Sequence, residues 1–228
     1  MRIAKNKLLF ACILPLSFIL ACSKKVDYSD YLKQSEKIYP GRVEAITVMS
    51  GYKKAQVNSL LSSDPRVVKM RLFWNNRRDS IEVVVNEQDY SKVKSVNIPV
   101  IEEGMYTFEV ITLDAMNHRS VSSQKNGQIY GEFYVGGLVN RVFKNKSIVN
   151  GSPALVWFSE TDKDSPISGV RVTYPKAGGD SLTVFTPRLE DVTVMVNAAP
   201  TGTAKIRTAY LPENALETFY SAPVYIAY

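Results

Sequence analysis

Three patterns of apolar and polar positions follow one another along the chain. Leu8 to Leu20 is an almost unbroken apolar run. Residues 23–42 are mostly polar, with Tyr31, Leu32, Ser35 and Ile38 spaced for one or two helical turns before Tyr39-Pro40-Gly41 stops them. From Val43 onward the apolar residues alternate in short runs: Val43 to Val48, Val68 to Trp74 and Ser80 to Val85, then Val96 to Ile98, Tyr106 to Leu113 and Gln128 to Val135. Turn residues separate them at Ser50-Gly51, Asp64-Pro65, Asn75-Asn76, Glu102 to Gly104 and Asp114 to His118. No stretch after residue 42 sustains a 3.6-residue period. The pattern predicts an all-β fold of antiparallel sandwich type.

The second half repeats the first. Met70 to Trp74 is answered by Val170 to Tyr174, and Asp79 to Val83 by Asp180 to Val184, in the same order and about one sandwich domain apart. Two tandem copies of one fold are expected, spanning residues 43–135 and 138–228 and joined around Gly136-Gly137.

Arg2, Lys5 and Lys7 precede the apolar run, and small Ala21 lies just before Cys22, the layout of a secretory signal. The Leu20-Ala21-Cys22 ending resembles the lipobox of bacterial lipoproteins. That resemblance implies a signal over residues 1–21, cleavage before Cys22, acylation of that cysteine, and a tether over residues 22–42. The competing reading is an uncleaved membrane helix. Leu8 to Ala21 would reach only about 21 Å, short of the roughly 30 Å hydrocarbon core.

Ile167 to Tyr174 resembles strand C of a fibronectin type III domain, in which alternate apolar residues end in a buried aromatic. Tyr106, after Glu102-Glu103-Gly104, is placed like the tyrosine corner of that fold, whereas Ala204 holds the matching place in the second copy. The chain after the tether also resembles a family of Bacteroidetes lipoproteins, domain of unknown function 4998. The likeness lies in Tyr39-Pro40-Gly41, Asp64 to Val67, Phe73 to Asn76 with Asp79-Ser80, Glu103 to Phe108, Asn117 to Ser120, Tyr130-Gly131 and Thr218-Phe219-Tyr220. It implies tandem fibronectin type III-like (Ig-like) domains. Some members add a C-terminal discoidin-like carbohydrate-binding domain or are encoded with polysaccharide-uptake systems. The sequence runs to Tyr228, and no such third domain is expected.

Cysteine and charge narrow the chemistry. The two cysteines are Cys12, inside the signal, and Cys22, so a mature body of about 205 residues has no thiol for a disulfide, zinc ligation or nucleophilic attack. Three of the 28 basic residues leave with the signal, so 25 face 22 acidic ones. The basic residues are scattered as singles and pairs along the sequence, which argues against nucleic acid as a partner.

No residue set reads as catalytic or metal-binding, and no cofactor is expected. The single histidine, His118, reads as a turn residue with Asp114. Glu160 to Asp164 alternates acids as calcium loops do, but Ser165-Pro166 follows where a glycine and a distal glutamate belong. Glu102-Glu103 and Glu190-Asp191 read as surface charge on turns rather than a glycosidase pair. Trp74 and Trp157 are expected in the core. Sugar binding needs exposed aromatic faces, and Phe73, Tyr52, Tyr130 and Tyr134 are the candidates, with Tyr90 and Tyr210 behind them. Ser80 and Ser181, each after an aspartate and before an apolar residue, match the Bacteroidetes O-glycosylation pattern. The expected protein is a non-enzymatic outer-membrane or cell-surface lipoprotein, held in the membrane by Cys22. It would be a binding or spacer module linked to polysaccharide acquisition, or alternatively a structural or adhesive protein with an outer-membrane protein partner.

Overall fold

Alternating burial is what turns these segments into strands. In β3 (Lys69–Trp74) Met70 and Leu72 are fully buried while Lys69, Arg71 and Phe73 occupy the opposite face. The computed structural model describes residues 39–228. The signal segment, Cys22 and the tether as far as residue 38 lie outside the described residues.

The first sandwich packs a three-stranded sheet against a four-stranded one. The smaller has the order β1 (Ala45–Gly51), β2 (Lys54–Leu60), β5 (Val93–Ile98). The larger runs β4 (Asp79–Val84), β3, β6 (Gly104–Leu113), β7 (Ser123–Ile129). Every ladder is antiparallel. Val48, Val57 and Val96 from one sheet meet Met70, Leu72, Phe108 and Val110 from the other in a single core. Trp74 packs against its margin.

The second sandwich repeats the plan. Its smaller sheet is β12 (Val192–Val194), β9 (Ser152–Trp157), β8 (Phe143–Val149). Its larger sheet places β11 (Ser181–Pro187) beside β10 (Ile167–Pro175) and then β13 (Thr203–Tyr210), which pairs both β14 (Phe219–Tyr220) and β15 (Val224–Ala227). Trp157 and Tyr174 are the largest buried side chains. The indole donates to Thr193 Oγ1 at 2.9 Å and the phenol to the Val196 carbonyl at 3.1 Å. The repeat read from the sequence is thus structural: β3 and β10 each pair with the hairpin partner that starts at the matching Asp-Ser, and with the later long strand.

Three local expectations change. The run Gln128 to Val135 is not one strand. β7 stops at Ile129 and a short helix, α1 (Glu132–Gly137), follows. Glu103 makes it helical by accepting the free N–H groups of Phe133 (2.8 Å) and Tyr134 (2.7 Å). Strand β2 carried no signal, because its buried positions are Ala55, Val57 and Ser59, only one of them strongly apolar. Finally, Tyr106 shows no backbone bond through its hydroxyl among the described residues; a different tie is made by Tyr90, whose hydroxyl lies 3.0 and 3.1 Å from the Pro65 and Val67 carbonyls and shares its one proton between them. Tyr106 instead lies half-buried beside the Phe108 ring.

Candidate functional site

The two sandwiches meet through backbone as well as side chains. At the end of β1, the Ser50 amide donates to the Asn214 carbonyl (3.0 Å), and the Leu216 amide donates to the Ser50 carbonyl (2.8 Å). Two residues on, the Tyr52 amide donates to Glu217 Oε1 at 2.8 Å, and Lys54 Nζ reaches the same oxygen at 3.0 Å. The Tyr52 amide, helped by the Lys54 ammonium, holds the Glu217 carboxyl below its ordinary range.

Rings close the same junction. Tyr130 lies 4.4 Å from Tyr134 and 4.9 Å from Phe219, and Tyr134 meets Phe219 edge-on at 5.2 Å. Phe219 is buried. Burial, with smaller contributions from Tyr130 and Tyr210, pushes the Tyr134 phenol up to about 12. The Tyr134 hydroxyl is buried, with no partner among the described residues. The Lys53 amide donates to the Tyr130 carbonyl at 2.8 Å, and its ammonium bridges Glu132 (3.0 Å) and Glu102 (3.1 Å). Beyond α1 the connection is fixed too: Tyr210 Oη donates to the Val139 carbonyl, and Asn140 Oδ1 accepts from the Thr208 amide and Ser221 Oγ.

Beside this junction opens a groove of about 390 Å³. Thr47 and Ser50 of β1 and Asn126 and Gln128 of β7 form its first wall. Glu213 and Asn214, from the β13–β14 connection, form the other, and Tyr130 and Lys125 also line it. Amides, hydroxyls, the Glu213 carboxylate, the Lys125 ammonium and a phenol ring converge there beside apolar Ile46 and Val48, a lining of balanced charge suited to a polyhydroxylated ligand.

Of the four aromatic candidates, the structure gathers three here. Tyr130 lines the groove, Tyr134 packs on the Tyr130 ring, and Tyr52, 43% exposed as a residue, bridges to Tyr130 along the backbone. Phe73 lies apart, on the outer face of β3 in a separate depression of about 210 Å³. The Arg77 guanidinium stands 5.3 Å from its ring and grips Glu109 with two hydrogen bonds of 2.6 and 2.5 Å. That grip holds the Glu109 carboxyl below its ordinary range, and Arg77 itself closes a turn of left-handed residues at φ 62°. Among the second-rank aromatics, Tyr90 and Tyr210 are committed to backbone ties.

Ser80 and Ser181 are exposed at the starts of β4 and β11. Most of the acidic residues weighed for chemistry have structural partners. Glu103 caps α1, Glu102 pairs Lys53, and Asp191 pairs Arg141 at 2.6 Å. Asp162 and Glu160 accept amide hydrogens within their own loop. Asp114 accepts the Met116 and His118 amides as well as the imidazole, so that pair shapes a turn. Among the described residues no three histidine, cysteine or acidic side chains gather as a metal site, and no helix is long and apolar enough to cross a membrane. Local reading missed Glu213, Asn214 and Glu217, which sit in a polar connection. The one signal nearby was the family likeness at Thr218-Phe219-Tyr220.

The chain is similar to solved fibronectin type III proteins. A structure of the FN1–FN3 domains of chicken CNTN1 shares 12% identity at a TM-score of 0.42, over 83% of this chain and 65% of its own length. A two-domain fibronectin type III segment of chicken tenascin shares 14% identity at a TM-score of 0.33, over 82% and 99%. No curated protein matches the chain. Residues 22–219 match the family DUF4998, described as a domain of unknown function, and the chain belongs to that family.

Proposed function

We propose that this protein is a non-enzymatic lipoprotein of the outer membrane, anchored through Cys22, that holds neutral saccharide chains in the groove between its sandwiches as part of glycan acquisition. The observation that carries the reading is the groove itself. Two sheet systems fixed by a backbone ladder and three packed rings present converging side-chain amides, hydroxyls, a phenol ring and one charge of each sign (Lys125 and Glu213) around about 390 Å³. Walls already fixed lose little conformational freedom on binding, which favours weak polar contacts. The same rigidity suits a spacer that carries its site away from a membrane.

The test is native affinity electrophoresis of the full-length protein in neutral detergent against a panel of neutral polysaccharides. Retardation by at least one glycan is expected, abolished by Gln128→Ala and by Asn214→Gly. The glycine substitution keeps the left-handed φ of 57° while deleting the amide. Absence of retardation across the panel, with co-purification of an outer-membrane protein, would overturn this reading in favour of an adhesive role. Labelled palmitate incorporation that survives Cys22→Ala would overturn the anchor.

A further inference from the structure

The outer face of the larger sheet in the second sandwich carries three cations and no carboxylate. Its outward positions are Arg171 and Thr173 on β10, Lys205 and Arg207 on β13, Thr183 and Phe185 on β11, with Tyr220 and Tyr225 beyond. The ladder sets Arg171 opposite Arg207 and Thr173 opposite Lys205. Those four residues line a depression of about 190 Å³. Like charges facing each other across strands disfavour the fold. Among the described residues, none of these three cations has an acidic partner.

The first sandwich supplies an internal control. Arg71 occupies there the position that Arg171 holds in the repeat, and it faces Glu82 across the hairpin, which also takes Lys69 at 3.1 Å. Phe73, the counterpart of Thr173, faces Glu109. In the second sandwich the places of Glu82 and Glu109 are held by Phe185 and Lys205. The acids that neutralise one copy are therefore absent from the other, and an aromatic and a further cation stand in their place.

The cations are also positioned. Arg207 Nε donates to the Ser221 carbonyl at 2.9 Å, and its guanidinium lies 5.1 Å from the centre of the Tyr220 ring. Arg171 approaches the same ring at 5.8 Å. Phe185 and Tyr225, 50% and 63% exposed, flank the charged strip on opposite sides.

We propose that this face binds a linear acidic polysaccharide, with its carboxylate or sulfate groups on Arg171, Lys205 and Arg207 and its sugar rings against Phe185 and Tyr225. Cations between exposed rings, with threonine hydroxyls alongside, match a chain in which anionic groups alternate with apolar sugar faces. Three cations fall short of the six to ten phosphate contacts, roughly, that a duplex-binding track makes. The proposal concerns a surface separate from the groove and does not depend on it.

The full-length protein in neutral detergent is run in native gels containing dextran sulfate, polygalacturonate or neutral dextran. Retardation by one or both acidic polymers is expected, weakening as salt is raised. The double variant Arg171→Gln with Lys205→Gln removes two exposed charges with no hydrogen-bond partner in the fold and should weaken binding about tenfold or more. Lys144→Gln with Lys146→Gln removes the same charge from β8 and should leave binding within about twofold. Asn214→Gly, in the groove, should leave acidic binding unchanged, so the two sites fail or stand separately. The proposal is overturned if the Arg171/Lys205 pair binds like wild type or if the Lys144/Lys146 pair loses as much. Tighter binding of a single-stranded oligonucleotide or of anionic phospholipid vesicles through Arg171 and Lys205 would overturn it as well.

Discussion

Asp64 fastens the chain where it enters the first sandwich. One carboxylate oxygen accepts the Gly41 amide at 2.7 Å, the other accepts the Arg66 amide at 3.0 Å, and the Arg66 guanidinium bonds both. Arg66 above all holds the Asp64 carboxyl down at about 2. A carboxyl whose folded value lies below its unfolded value near 3.9 stabilises the fold above that pH and loses this contribution as pH falls toward 2. Asp64→Asn should therefore cost about 2 kcal/mol at pH 7 and almost nothing near pH 2, read as the difference in urea midpoints. Tyr134 offers the opposite case, a buried hydroxyl with no partner among the described residues. Tyr134→Phe should stabilise the protein by about 1 kcal/mol, seen as a higher melting temperature, because the desolvated hydroxyl is removed and the ring contacts stay. Individual large residues were legible in the sequence: Trp157 and Tyr174 are as buried as strand alternation requires. Polar residues were not, since whether Asp64 is surface charge or a tie depends on Gly41, which lies 23 positions away.

Short elements depend on neighbours more than on their own composition. Six residues are too few for a helix to be stable alone, so α1 exists because Glu103 supplies acceptors to its first turn. Gly131 is part of that arrangement: a Cβ there would lie 2.7 Å from the Glu103 Cβ. Glu103→Ala should destabilise the protein by about 1 kcal/mol and should raise hydrogen-exchange rates at Phe133 and Tyr134 before other amides change. Unchanged exchange at those two amides would show that the rings alone hold the helix. This is also why Gln128 to Val135 reads as one strand from its residues. Tyr130, Phe133, Tyr134 and Val135 have strand propensity, and the carboxylate that overrides it comes from another turn. β2 fails for a different reason, because its alternation is carried by alanine, valine and serine.

At the scale of the molecule, the junction decides whether the sandwiches act as one body. Phe219 contacts both tyrosines from across it and is nearly fully buried. Phe219→Ala should cost about 3 kcal/mol and split one unfolding transition into two, observed by calorimetry. A single transition shifted to lower temperature would instead show that the Ser50 and Tyr52 ladder alone couples the halves.

Residue pattern alone was enough for the all-β class, for most of the strand spacing, for the repeat of β3–β4 in β10–β11 and for the burial of Trp157. Those features follow from period-two burial and turn chemistry, which act between residues adjacent in the chain. Which tyrosines share a groove, where Glu103 finds a helix to cap, and which arginines stay without an acid among the described residues all followed from long-range packing. Each of these depends on strand order and register, which bring Arg171 opposite Arg207 and Ser50 beside Asn214 although no local pattern links them.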